Sequence, residues 1–285
     1  MIILADLNRK AIGLLGAIYP DSVEFEVECL LKFYFNFSSV DFVNHLRMPV
    51  SQQHYDDCIR LVRRRMAHEP LDYIIGDSQF MGRVYNVGKG VLIPRCETEL
   101  LVQEAQCLIP HYFSSSFLGL EFGFGSGVIS IELALTFTNS SWMSFDISKE
   151  AFDYATKNSN RYNLTSIDWQ LLNFFDSKSL WSDTDLPLFL IANPPYIPTK
   201  DLSSLEASVK HFEPLVALDG GESGLVMYES MFKLCQDHQF LICLECGINQ
   251  ADFIIDLAMD YGFTCLNKVS DYHQIVRVLS FTNQD

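Results

Sequence analysis

The sequence predicts an α/β protein with a mostly parallel sheet, preceded by a small helical bundle and a linking β-hairpin. Three observations carry that expectation. From about residue 93 onward, short apolar runs alternate with stretches of helical periodicity, the pattern of a parallel sheet covered by helices on both faces. The first seventy or so residues show helical spacing throughout. Between them, residues 79–92, "QFMGRVYNVGKGVL", alternate in hydrophobicity and are punctuated by glycine, as a hairpin requires. The expected boundaries are therefore 1–78 for the helical domain, 79–92 for the hairpin linker and 93–285 for the α/β domain.

Each element follows from local chemistry. "LADLNRKAIGLLGAIYP" reads as a helix that ends by Pro20, because proline lacks the N–H that would continue it. "SVEFEVECLLKFYF", "SSVDFVNHLRM" and "SQQHYDDCIRLVRRRMAHEP" follow, each opened by a serine able to cap it. Short helices in succession suggest a bundle. The turn chemistry of the hairpin is assigned to "VGKGV". Beyond it, "FLGLEFG" and "SWMSFD" read as strands, followed by the helices "SGVISIELALTF" and "SKEAFDYATKNSNRY". "IDWQLL", "LFLIAN" and "FLICLEC" read as further strands and "NQADFIIDLAMDYG" as a helix. "FTCLNKVSD" and "QIVRVLSFT" read as two strands joined by a short turn, a final hairpin that adds an antiparallel strand.

The totals bound the function classes. In 285 residues, 48% are hydrophobic and 20% charged, enough for a packed core. No apolar run approaches the ~20 residues of a membrane span, and "MIILADLNRK" has the wrong order for a secretory signal. Eight cysteines show no framework spacing. Cys243 and Cys246 form a C-x-x-C inside a buried-strand pattern, and no second Cys/His pair is spaced to complete a metal site, so core cysteines, no metal and a reducing cytoplasm are expected. The net charge is −16, concentrated beyond residue 90, where 10 basic residues face 25 acidic ones. Such a surface repels phosphate backbones, which argues against general nucleic-acid binding. Arg60, Arg63, Arg64 and Arg65 stand apart as either a solvated helix face or a docking patch for an acidic partner.

Ligands of such sheets bind outside the carboxyl ends of the strands. The first loop there, "EFGFGSG", spaces Gly123, Gly125 and Gly127 between a strand and a helix, so the backbone can turn tightly and approach a ligand. Asp146 ends the next strand, where an acidic side chain can accept from ribose hydroxyls. Val128 stands where a dinucleotide loop would have its third glycine, which favours a nucleoside without a diphosphate. Asn173 or Asp176 is placed to bond an adenine edge, and Phe174 to stack on it or to pack in the core.

The fourth strand ends in Asn193, Pro194, Pro195 and Tyr196. Each proline fixes its own φ and removes a donor, so the loop is stiff and presents carbonyl acceptors. The Asn193 side chain adds another acceptor and Tyr196 a flat face. Together they suit a planar –NH2 group whose two hydrogens go to the Asn193 and Pro194 carbonyls. An amide nitrogen is a poor nucleophile, and holding both hydrogens favours the geometry and charge of attack. The electrophile that fits is the sulfonium methyl of S-adenosylmethionine.

With these motifs assembled, the sequence resembles the release-factor glutamine methyltransferases (HemK/PrmC). The resemblance covers most of the chain and rests on "EPLDYIIG", "LIPRCETE", "NPPYIP" and "FEPLVALDGG". It implies a class I, Rossmann-like methyltransferase domain with a seven-stranded sheet behind a helical substrate-docking domain. It implies an enzyme, acting as a monomer in the cytoplasm, that methylates the glutamine amide in the Gly-Gly-Gln loop of class I peptide-chain release factors and leaves S-adenosylhomocysteine. By position, Gly123, Phe124, Gly125, Ser126, Gly127, Asp146, Asn173, Phe174 and Asn193 would hold the cofactor. Asn193, Pro194, Pro195 and Tyr196 would hold the glutamine, with Asn193, Pro194 and Tyr196 catalytic. Arg95, Glu97 and Glu99 would order the loop over the cofactor. Phe124, bulky where the family is small, would reshape the pocket. Two other readings stay open: a nucleic-acid adenine methyltransferase, which shares the Asn-Pro-Pro-Tyr loop, and a non-catalytic interaction protein that keeps the fold.

Overall fold

A computed structural model describes residues 2–284. In chain order the helices are α1 (Leu4–Leu15), α2 (Val23–Phe35), α3 (Ser39–Asn44), α4 (Gln52–Met66), α5 (Leu71–Ile75), α6 (Cys96–Tyr112), α7 (Val128–Thr136), α8 (Lys149–Arg161), α9 (Lys178–Trp181), α10 (Ala207–Phe212), α11 (Val226–Cys235) and α12 (Ala251–Asp260). The strands are β1 (Asp77–Phe80), β2 (Arg83–Asn86), β3 (Leu118–Phe122), β4 (Ser141–Asp146), β5 (Ile167–Leu171), β6 (Leu188–Ala192), β7 (Phe240–Glu245), β8 (Thr264–Ser270) and β9 (Val276–Thr282). Two compact units result: the chain up to Asp77 with Glu206–Phe212, and Ser78–Leu205 with the chain from Glu213 onward.

The first unit is helical. Leu4, Leu7, Ala11 and Leu15 recur at helical spacing along α1 and are fully buried with Val27, Leu30, Cys58 and Val62 from α2 and α4. Ser38 and Ser51 cap α3 and α4 by accepting the backbone N–H of Asp41 and His54, at 3.1 and 3.2 Å. Ser22 does not cap α2; its hydroxyl donates to Glu26 instead. The arginine cluster on α4 is not one patch. Arg65 is buried, donates to the Glu26 carboxylate and the Tyr19 hydroxyl, and lies 3.6 Å over the Tyr19 ring. Arg64 pairs with Glu69 and Arg60 with Asp57.

The second unit opens with the β1–β2 hairpin, whose turn is Met81–Gly82 at φ 50° and 73°. "VGKGV" follows the hairpin rather than making its turn. Its glycines allow close approach to α8, since a Cβ at Gly90 would meet the Glu150 side chain.

The main sheet has seven strands in the order β5-β4-β3-β6-β7-β9-β8. β5, β4, β3, β6 and β7 run parallel, and β9 is antiparallel to both β7 and β8. β6 and β7 are buried at every residue, as central parallel strands between helical layers must be. Along them the side chains alternate between two cores. Leu188, Leu190, Ile242 and Leu244 pack with α11 and α12, while Phe189, Ile191, Leu241 and Cys243 pack with α6 and α7. Cys243 and Cys246 are both buried free thiols. α5, α6, α9, α10 and α11 are helices that the periodicity reading did not assign.

Candidate active site

The chain builds outward from β3 through β4 to β5, then returns to add β6 beside β3. The carboxyl ends of β3, β4 and β6 therefore lie side by side, with Phe122 in register with both Phe145 and Ala192. A sheet that reverses in this way leaves a crevice at the reversal.

A cavity of about 260 Å³ opens there. Gly123, Gly125, Asp146, Asn173, Phe174, Asn193 and Pro195 line it, with Val91, Leu92, Phe122, Phe175 and Val216 among its apolar walls. Gly123 and Gly125 have positive φ, 72° and 52°, and a Cβ on either would meet no protein atom within 4 Å. The glycines thus leave open the space a ligand would use. The Asp146 carboxylate accepts from the N–H of Gly125 at 3.0 Å and of Ser148 at 2.9 Å. Burial raises its pKa, opposed by those N–H groups.

Phe124, Ser126 and Gly127, also expected at the cofactor, do not line the cavity. Phe124 is buried and packs edge-on against Trp169, with ring centroids 4.9 Å apart, so its bulk is taken up behind the loop and not in the pocket. Gly127 caps α7, where a Cβ would lie 2.9 Å from the Trp169 ring. Ser126 contributes its carbonyl to the Asn158 side chain. Asn173 Oδ1 accepts from Phe175 N–H at 3.1 Å and shapes the turn. Phe174 belongs to the core between Phe122 and Phe145 while still reaching the wall. Phe175, half-buried beside it, offers a second flat apolar surface that the sequence reading passed over.

The loop after β6 is braced from three sides. Ile197 N–H donates to Leu218 C=O at 3.0 Å and Gly220 N–H to Ile197 C=O at 2.9 Å, joining the "LDGG" segment to the Asn-Pro-Pro-Tyr segment. Gln250 donates to the Tyr196 carbonyl at 2.9 Å. Asn193 Nδ2 donates to Thr98 Oγ1 at 3.0 Å, and Thr98 Oγ1 donates to Glu245 Oε2 at 2.7 Å. Among the described residues, neither Asn193 Oδ1 nor the Pro194 carbonyl accepts a hydrogen bond. Beyond Pro195 the same loop borders a second cavity, lined by Tyr196, Ile197, Pro198, Leu225, Phe253 and Arg277. Burial raises the Tyr196 hydroxyl above its ordinary range and pushes the Glu245 carboxyl up to about 7, against the opposing Thr98 hydroxyl.

Arg95 donates to Glu213 at 2.5 Å, and Glu213 also accepts from Ile93 N–H at 3.3 Å. This ties together the two segments that supply Leu92 and Val216 to the first cavity. Glu99 accepts from Met81 N–H in the hairpin turn at 2.7 Å, and Glu97 lies 4.0 Å from Arg277. Thr98, between these two glutamates, makes the contact to Asn193. The sequence reading did not single it out.

A five-strand parallel array with a final antiparallel strand inserted next to last, and a cavity at the reversal, is the class I methyltransferase fold. A human methyltransferase 10 domain containing protein shares it, with a TM-score of 0.50 at 17% identity, covering 72% of this chain and 90% of that one. Residues 6–76 match the family described as PrmC N-terminal domain. A release factor glutamine methyltransferase of Thermodesulfovibrio yellowstonii is 35% identical over 228 residues, covering 77% of this chain and 78% of that one. One of Geobacter sulfurreducens is 31% identical over 272 residues, covering 94% and 92%. The chain belongs to the release factor glutamine methyltransferase family.

Proposed function

We propose that this protein transfers a methyl group from S-adenosylmethionine to the side-chain amide nitrogen of a glutamine in the Gly-Gly-Gln segment of a class I peptide-chain release factor. The observation that carries the reading is the pair of acceptors left without partners among the described residues, Asn193 Oδ1 and the Pro194 carbonyl, on a loop between two cavities. The two N–H groups of a carboxamide match that pair.

The residues of the first cavity fit an adenosyl group. Gly123 and Gly125 leave room for it, Asp146 keeps lone pairs for ribose hydroxyls, and Phe174 and Phe175 give flat apolar surfaces for a base. S-Adenosylmethionine, when bound, supplies the electrophilic methyl group. The chain's own residues hold and orient the nucleophile. Asn193 and Pro194 accept both amide hydrogens, which favours the pyramidal nitrogen of attack and the positive charge that develops on it. Tyr196, on the second cavity, packs against the acceptor's conjugated plane. A base is unnecessary before transfer, because the alkylated nitrogen is strongly acidic afterwards. The helical unit serves to dock the release factor, and a substrate in translation places the enzyme in the cytoplasm.

The test is mass spectrometry of a class I release factor after incubation with enzyme and cofactor. One added methyl on the Gly-Gly-Gln glutamine is expected. An unchanged mass despite cofactor binding, or methylation of adenine in an oligonucleotide instead, overturns the proposal. The excess of acidic residues beyond residue 90 weighs against the oligonucleotide.

A further inference from the structure

We infer that Thr98 is a positioning residue that fixes which way the Asn193 amide faces, with Glu245 behind it setting the polarity of the Thr98 hydroxyl. The inference rests on the reading that Asn193 Oδ1 receives the acceptor's amide hydrogen.

An asparagine side chain is nearly symmetric in shape but opposite in chemistry at its two ends, so its environment must choose between them. Turned the wrong way, Asn193 would present N–H groups to the acceptor's own N–H groups. The neighbours in the structure make the choice through a directed chain. Above about pH 7 the Glu245 carboxyl is ionised and can only accept, so its Oε2, 2.7 Å from Thr98 Oγ1, takes the single hydroxyl proton. With that proton committed, Oγ1 has lone pairs alone to offer Asn193. The Asn193 end at 3.0 Å must then be the donating Nδ2, and Oδ1 faces away from Thr98.

The three groups come from three separate elements. Thr98 sits in the first turn of α6, Glu245 ends β7, and Asn193 is the first residue after β6. Thr98 is 3% and Glu245 1% exposed, so bulk water does not compete for either bond. A buried carboxylate is expensive to keep, and an apolar side chain would fill the end of a strand at less cost. Among charged groups Glu97 opposes the ionisation of Glu245 while Arg277 and Arg95 favour it, and the Tyr228 hydroxyl bonds the Glu245 main-chain carbonyl at 2.9 Å. The side-chain hydrogen bond of Glu245 goes to the Thr98 hydroxyl.

The experiment compares Thr98→Val, which keeps the shape and removes the hydroxyl, with Thr98→Ser, which keeps the hydroxyl. The full chain is assayed on a Gly-Gly-Gln protein at about pH 8.5, above the value of about 7 to which burial pushes the Glu245 carboxyl. Thr98→Val is expected to lower kcat by roughly 10- to 100-fold, the scale of losing one oriented group. Its cofactor Kd should stay within about twofold, and Thr98→Ser should keep kcat within about threefold. A second readout needs no turnover: the Asn193 side-chain NH2 resonances should shift in Thr98→Val and stay in Thr98→Ser. Unmoved Asn193 resonances in Thr98→Val, or equal kcat losses in the two variants, overturn the inference. If the wild type fails to methylate the glutamine while the resonances behave as expected, the functional reading fails and the positioning chain stands.

Discussion

Asn193 concentrates the chemistry at the scale of the residue. Its Nδ2 is held by Thr98 and its Oδ1 accepts from none of the described residues, so the two ends of one amide separate structure from function. Asn193→Ala should therefore lower kcat about 100-fold or more, while cofactor affinity measured by calorimetry changes only a few fold. Equal losses in both would assign Asn193 to the cofactor. Glu121 makes a different prediction. It is fully buried beneath the glycine loop, where Oε2 accepts from Ser130 and Oε1 has no partner among the described residues. Burial pushes its carboxyl up to about 7, from an ordinary 4.5. Below pH 4.5 the proton is bound in folded and unfolded chains alike. As pH rises to 7 the unfolded chain releases it first, and the fold loses on the order of 3 kcal/mol. Glu121→Gln escapes that loss, so its melting temperature relative to wild type should climb between pH 5 and pH 8. A constant difference across that range would show that Glu121 does not titrate as described.

Elements decide where these residues stand. The Asn-Pro-Pro-Tyr loop was legible in the sequence, because prolines after an apolar strand carry their conformation and their missing donors with them. Its bracing was not. Gly220, which follows Asp219 in a segment distant along the chain, passes so close that a Cβ would lie 2.8 Å from the Pro195 carbonyl oxygen and the Tyr196 backbone. Gly220→Ala must displace the loop, and displacements near 1 Å can cost ~100-fold in rate. Methyl transfer should fall at least tenfold with cofactor binding little altered; wild-type turnover would mean the loop tolerates the shift. The strands β3 to β9 were readable from their apolar runs. α6 and α11 were not assigned, although Tyr228, Met231, Phe232 and Cys235 recur at helical spacing on the buried side of α11; α6 packs on β7 and β9 while its first turn carries Glu97, Thr98 and Glu99 to separate partners. Phe124 misled for its own reason. A side chain in a ligand loop looks like pocket lining until Trp169, from β5, is seen behind it.

The whole molecule has cores that share no residues. The helical core runs from Leu4 to Ile74, and those flanking the sheet begin at Phe80. Trp142, Trp169 and Trp181, all the tryptophans of the sequence, belong to the sheet unit. The buried Arg65–Glu26 pair belongs to the helical one. Arg65→Leu leaves Glu26 buried without its partner, a change that costs about 3–5 kcal/mol in such pairs. The helical circular-dichroism melt, to which both units contribute, should then split, with one component at lower temperature and the other coincident with an unmoved tryptophan-fluorescence transition; a common shift of both signals would join the units into one cooperative body. The change of periodicity near residue 79 was legible in the sequence, but the grouping of Glu206–Phe212 with the first unit was not. The sequence reading misplaced the arginine cluster, because adjacent arginines on a helix point to different sides. One further consequence lies in β9, which follows β8 in the chain yet lies between it and β7. During synthesis Phe240–Glu245 therefore waits with a bare hydrogen-bonding edge until Val276–Thr282 has left the ribosome. A nascent polypeptide halted before Val276 should be captured by chaperones or sediment as aggregate, whereas one that has fully emerged past Thr282 should remain in the supernatant.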